Sequence, residues 1–155
     1  MTNAPAPRGE RKPVRAEAGP WSVDDIRRMP LQGFQRSLGI VIDDVAPDAV
    51  TAHIDIDERH MNSGSAVHGG VLMALADSVG AMGALQNLQA GQRTATLESK
   101  SNFVRGCAGS RVSAECRPVH LGRKTSIWHT VLRDDQGRIC THVWQTQLHF
   151  EADKG

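Results

Sequence analysis

A chain of 155 residues suits one domain with a core of its own. Its 18 basic and 17 acidic residues leave a formal charge of +1, which argues against nucleic acid or an anionic membrane as the main partner. The cysteine count is odd, and Cys107, Cys116 and Cys140 form no C-x-x-C pair. Reduced thiols in a cytoplasm fit that usage better than a disulfide framework.

The first 20 residues, MTNAPAPRGERKPVRAEAGP, hold four prolines and six charges with almost no large apolar side chains. Such a stretch cannot offset the entropy of folding, so a disordered tail is expected over 1–20 and a single domain over 21–155. Nothing in it resembles the apolar core of a signal peptide. Ser22 then reads as the N-cap of a short helix with Asp24 and Asp25 in its first turn. Pro30 stops that helix, and Leu31 to Leu38 adds a further turn or two. GIVIDDV and AVTAHIDID read as two strands joined at Pro47-Asp48, with Val50, Ala52, Ile54 and Ile56 on one face.

Glu58 to Val67 is a polar loop, and from Gly69 the pattern changes. VLMALADSVGAMGAL is apolar nearly all round, as in a helix buried on most sides, and it is too short to span a bilayer. Beyond Gly91 the chain reads as strands over Arg93 to Val104, Arg111 to Leu121, Lys124 to Arg133 and Arg138 to Phe150. Pro118 marks a bulge or an edge, and Asp134-Asp135-Gln136-Gly137 marks a hairpin turn. One long helix beside a mostly antiparallel sheet makes the fold class α+β.

The chemistry concentrates in Asn62-Ser63-Gly64-Ser65-Ala66-Val67-His68-Gly69-Gly70, which runs straight into the long helix. Gly69 and Gly70 leave backbone N–H groups open to a ligand at the positive end of the helix dipole, which suits an anion or a developing oxyanion. A tight turn would also use two glycines. Asp77 tips the balance, because it is the only charged residue from Gly69 to Gln92. Among Leu75, Ala76 and Val79 its carboxylate is expected to lose hydration, a cost that usually marks function.

The run N-S-G-S-A-V-H-G-G-V-L-M-A-L-A-D resembles the signature of the PaaI-type hot-dog thioesterases. The likeness continues through Thr96-Leu97-Glu98-Ser99-Lys100-Ser101-Asn102-Phe103-Val104-Arg105 and covers roughly Leu38 to Phe150. It implies a curved antiparallel sheet wrapped around one long helix, and hydrolysis of acyl-coenzyme A thioesters without cofactor or metal. On that resemblance, Gly69 N–H polarises the thioester carbonyl with help from Asn62. Asp77 activates water as general base or attacks the carbonyl itself, Thr96 holds the water or the carboxylate, and His68 orients the loop or touches the thioester. Ala81, one turn beyond Asp77, departs from relatives that carry a hydroxyl there.

Gly69 and Asp77 are eight residues apart. That is roughly 12 Å along a helix, too far for both to reach one carbonyl carbon. If both are catalytic, they come from different subunits, so at least a homodimer is expected. The resemblance implies the same, often as a homotetramer of paired dimers. Arg105, Arg123 and Lys124 are candidates for the coenzyme A phosphates, although basic residues at strand ends are usually just solvated. No G-x-S-x-G elbow, phosphate loop or metal-ligand spacing is present. Two alternatives stand beside hydrolysis: a hot-dog dehydratase or hydratase of acyl thioesters, and a non-catalytic acyl-CoA binder.

Overall fold

The computed structural model describes residues 22–46 and 48–151; the expected tail at 1–20 and Pro47 of the expected turn lie outside them. Ser22 caps helix α1 (Val23–Arg27): its Oγ accepts the Asp25 N–H at 3.1 Å, while the Asp25 carboxylate accepts the Ser22 N–H at 3.2 Å. Helix α2 (Gly33–Ser37) leads into the hairpin of β1 (Ile40–Ala46) and β2 (Ala49–Asp55), which is bulged between Ile42 and Asp44. A single 3₁₀ turn (Glu58–His60) and a polar loop precede helix α3 (Gly69–Leu85). Strands β3 (Gln92–Phe103), β4 (Arg111–Leu121), β5 (Thr125–Asp134) and β6 (Ile139–Glu151) follow.

All six strands form one antiparallel sheet in the order β1-β2-β4-β5-β6-β3. Strands β4, β5 and β6 make the expected meander, whereas β3 crosses to the far edge and pairs only with β6. The phase shift at Pro118 is a bulge between Pro118 and His120, on a central strand rather than an edge. The Asp134 turn closes as expected, with Asp134 Oδ1 accepting the Gln136 and Arg138 N–H groups at 3.0 and 2.9 Å.

Helix α3 lies across the concave side of the sheet and touches β2, β3, β4, β5 and β6. Leu72, Leu75, Ala76 and Val79 meet the inward residues Ala52, Ile54, Ala114, Trp128 and Val143 in one buried cluster. Two helix glycines let the backbone come this close. An added Cβ at Gly83 would stand 2.6 Å from Trp128 Cζ3, and one at Gly80 would stand 2.9 Å from Gln145 Cδ. Each interior glycine costs about 1 kcal/mol of helix propensity relative to alanine, so close approach is what retains them. Trp128 is thus core, while Trp144 stands on the outer sheet face stacked on His129 at 4.3 Å.

All three cysteines are free and buried. Burial pushes the Cys107 and Cys116 thiols up to about 12, helped at Cys107 by the neighbouring Cys140. At neutral pH only about one such thiol in ten thousand or fewer is a thiolate, the reactive form. Titration with an aromatic disulfide reagent should therefore find almost no reaction in the native protein and all three thiols after denaturation. A fast native reaction would show that the loop carrying Cys107 opens on its own.

Candidate active site

The loop before α3 is built by its own polar groups. Met61 and Val67 bridge across it, Asn62 N–H donates to the Ala66 carbonyl at 2.7 Å, and Ser65 takes a positive φ of 63°. Asn62 Oδ1 accepts the N–H groups of Gly64 and Ala66 at 2.7 and 3.2 Å. Both partners are donors, which fixes the amide orientation and leaves Nδ2 as the donor facing outward. His60 is fully buried and pins the loop from below. Its Nδ1 accepts the Asp57 N–H at 3.0 Å, its Nε2 donates to the Leu38 carbonyl at 3.0 Å, and its own carbonyl accepts the His68 N–H at 2.8 Å.

His68 is the N-cap of α3. Its Nδ1 accepts the Gly70 N–H at 3.0 Å, and its carbonyl accepts the Val71 N–H at 2.9 Å. The expectation of two open N–H groups is therefore corrected: Gly70 is capped by its neighbour, and Gly69 N–H is the one of the pair left without an acceptor among the described residues. His68 thus caps the helix end and leaves one N–H of the glycine pair unpaired among the described residues. The Phe103 ring covers Gly69, with Cζ 3.1 Å from where a Cβ would stand. A cavity of about 340 Å³ opens here, lined by Asn62, Val67, Gly69, Leu72, Phe103 and Arg105 among others. Its walls are mainly apolar, with one cation.

Asp77 departs from expectation. The apolar run around it predicts an enclosed carboxylate, yet Asp77 is exposed, on a stripe of α3 with Gly70 and Met73 that the chain's own sheet does not cover. Its Oδ1 accepts Thr96 Oγ1–H at 2.9 Å and Gln145 Nε2–H at 2.7 Å. The Thr96 oxygen itself accepts Gln145 Nε2–H at 3.0 Å and Gln147 Nε2–H at 2.9 Å. With two N–H donors on that oxygen, its single proton goes to Asp77. Thr94 Oγ1–H completes the row by donating to Gln147 Oε1 at 2.8 Å. A bulge between Thr96 and Glu98 in the β3·β6 pairing lies beside this row, with the extra residue Leu97 in solvent.

Gln145 and Gln147 are buried on β6 and were not among the sequence candidates. Gln145 Oε1 is buried with no partner. Such an orphan costs about 1–3 kcal/mol. Turning the amide over would set oxygen against the Asp77 and Thr96 oxygens, so the orphan is the consequence of aiming nitrogen at them.

The basic candidates divide. Arg105 lines the cavity next to Gly69, and its N–H donates to the Cys140 carbonyl at 3.2 Å. Arg123 and Lys124 lie in the β4–β5 turn, where the Lys124 carbonyl accepts the His149 N–H at 2.8 Å. Cys140 and His149 are nine residues apart on β6. That separation is about 30 Å along a strand, so one chain does not bring Arg105 together with Arg123 and Lys124. Gly69 and Asp77 are likewise held apart, eight residues from one another along α3, as the spacing predicts.

The chain is similar to known proteins. Residues 64–141 match the thioesterase superfamily. The 1,4-dihydroxy-2-naphthoyl-CoA hydrolase of Escherichia coli strain K12 is 30% identical over 103 residues, covering 66% of this chain and 76% of that one. The proofreading thioesterase EntH of Cronobacter sakazakii is 33% identical over 103 residues, covering 66% and 75%. The crystal structure of thioesterase HI1161 from Haemophilus influenzae superposes with a TM-score of 0.77 at 25% identity, over 86% of this chain and 95% of that one. No described helix is long and apolar enough to cross a membrane. With the six-stranded sheet around one long helix, the expected hot-dog architecture is present, and the chain belongs to the thioesterase superfamily as a thioester hydrolase.

Proposed function

We propose that this protein hydrolyses acyl-coenzyme A thioesters to the free acid and coenzyme A in the cytoplasm, as a homodimer with two shared sites. The observation that carries the reading is the pairing of one fixed carboxylate with one open backbone donor on the same helix. Asp77 Oδ1 is held by Thr96 and Gln145, and Gly69 N–H has no acceptor among the described residues. Gly69 N–H and Asn62 Nδ2 receive the carbonyl oxygen of the thioester. Asp77, through Oδ2, takes a proton from the attacking water, or attacks the carbonyl carbon and is released by water. Either route breaks the C–S bond and frees the thiolate of coenzyme A, with the oxyanion held throughout by the same two donors.

The uncovered stripe Gly70, Met73 and Asp77 supports the homodimer. A helix apolar nearly all round needs cover on both sides, and the chain's own sheet supplies one. No residue of β3 is buried, and its outer edge is unpaired, so a second copy completes both helix and sheet. Such pairing places Gly69 of one chain opposite Asp77 of the other. Trp144, Leu148 and Phe150, exposed on the outer sheet face, are where dimers would pair again into a tetramer. The apolar cavity suits the thioester end of the ligand, and Arg105 suits a phosphate of coenzyme A. Free, buried thiols fit the reducing cytoplasm.

Thiol release measured across benzoyl-, phenylacetyl-, hexanoyl- and palmitoyl-CoA tests the reading. Stoichiometric release of coenzyme A and free acid from at least one of them is expected. Binding without release from all four would favour a non-catalytic acyl-CoA binder, and addition of water to an enoyl-CoA with the thioester intact would favour a hydratase.

A further inference from the structure

Gln145 touches no open surface, being 1% exposed, and it faces no group of the cavity around Gly69. Its amide runs over Gly80 of α3, at a point where any side chain on the helix would collide with it. Its oxygen is left without a partner, and its nitrogen reaches both Asp77 Oδ1 and Thr96 Oγ1. A glutamine that only filled core space would find a partner for its buried oxygen, or would be replaced by an apolar side chain of the same volume. Here the helix omits a side chain and the oxygen goes unpaired, and both sacrifices serve one N–H aimed at one carboxylate oxygen.

We propose that Gln145, admitted by the notch at Gly80, is a positioning residue for the hydrolysis. Together with Thr96 it loads Asp77 Oδ1 with two donors, so the carboxylate is held in one rotamer and Oδ2 is presented to the substrate side. Oδ2 has no partner among the described residues. Gln147 and Thr94 extend the same support one step back, by fixing which way the Thr96 proton points. The role rests on the proposed assignment of Asp77, since Gln145 acts only through it.

The experiment uses the full-length protein and the acyl-CoA it hydrolyses best, with two variants. Gln145→Met keeps the volume and removes both the donor and the orphaned oxygen. Gly80→Ala leaves every polar group of the site present but fills the notch and displaces the amide, the flexible end of its side chain. In both, kcat is expected to fall about tenfold or more with KM within about twofold, because orientation of the base is lost while binding is untouched. In an Asp77→Asn background, Gln145→Met should cost nothing further. Folded Gln145→Met protein with kcat within about twofold of wild type overturns the proposal, as does an equal loss in the Asp77→Asn background. If Gln145→Met fails to fold, Gly80→Ala decides: unchanged kcat overturns, and a kcat-only loss supports. The outcomes separate from failure of the Asp77 reading itself, which shows as Asp77→Asn turning over at the wild-type rate.

Discussion

Asp77→Asn is expected to lower turnover by about two or more orders of magnitude while leaving the fold intact. Asparagine keeps the shape of the side chain, and its Oδ1 can still accept from Thr96 Oγ1–H and Gln145 Nε2–H. What it loses is Oδ2, which becomes an NH₂ group able neither to take a proton from water nor to attack a carbonyl. The side chain is exposed, so the substitution leaves no unpaired buried charge and melting should shift by no more than a few degrees. Thiol-release kinetics beside a circular-dichroism melt measure both halves. A folded Asp77→Asn protein with near wild-type turnover would remove this residue from the mechanism.

Gly69→Val should cost about 10²–10³ in turnover, the usual loss for one well-placed oxyanion donor. Gly69 does not take a positive φ, so the change acts through bulk and not through backbone strain. Its new Cβ would stand 3.1 Å from Phe103 Cζ, which the half-exposed ring can relieve by moving a few tenths of an ångström. The two branched methyls are then expected to crowd the ground in front of the N–H, where the carbonyl oxygen is proposed to sit. Mixing this chain with Asp77→Asn chains exposes the shared site. Each mixed dimer holds one site with both residues intact and one with neither, so random reassembly of two inactive proteins should restore about a quarter of the wild-type rate. Verified mixed dimers with no recovery would place the whole site within one chain. Gly69→Val dimers with unchanged turnover would reduce the glycines to a turn.

The helix-start residues were legible because they lie in one continuous stretch. Asn62, His68, Gly69 and Asp77 follow one another at spacings that survive without any knowledge of the tertiary fold. Helix and strand boundaries came close for the same reason, since Pro30, Gly91 and the Asp134 turn act locally. The sheet order did not, because nothing local tells β3 to pass over β4 and pair with β6. With that pairing unseen, the two glutamines opposite Thr96 could not be connected to Asp77. Alternation in β6 also misleads: the inward positions Val143, Gln145, Gln147 and His149 are mostly polar, while Trp144 and Leu148 face out. Asp77 illustrates the opposite error. An apolar surround in sequence promises burial, but Asp77 falls on the narrow stripe with Gly70 and Met73 that the single chain leaves open.

The two halves of the proposed chemistry rest on different kinds of scaffold. The carboxylate is braced by Thr96 and Gln145, with Gln147 and Thr94 behind them, on two strands that pair along their length apart from the one bulge at Leu97. The proposed carbonyl end and the cavity beside it are shaped largely by connecting segments, 61–68 and 104–107, the first of them held by short side-chain turns. Connecting segments accept substitution, insertion and re-shaping far more readily than paired strands. On the proposed assignment, selection on a new acyl group can therefore rework the reception of the substrate without disturbing the network around Asp77. Directed evolution of substrate range should draw its gains from those two segments and leave Thr94, Thr96, Gln145 and Gln147 untouched.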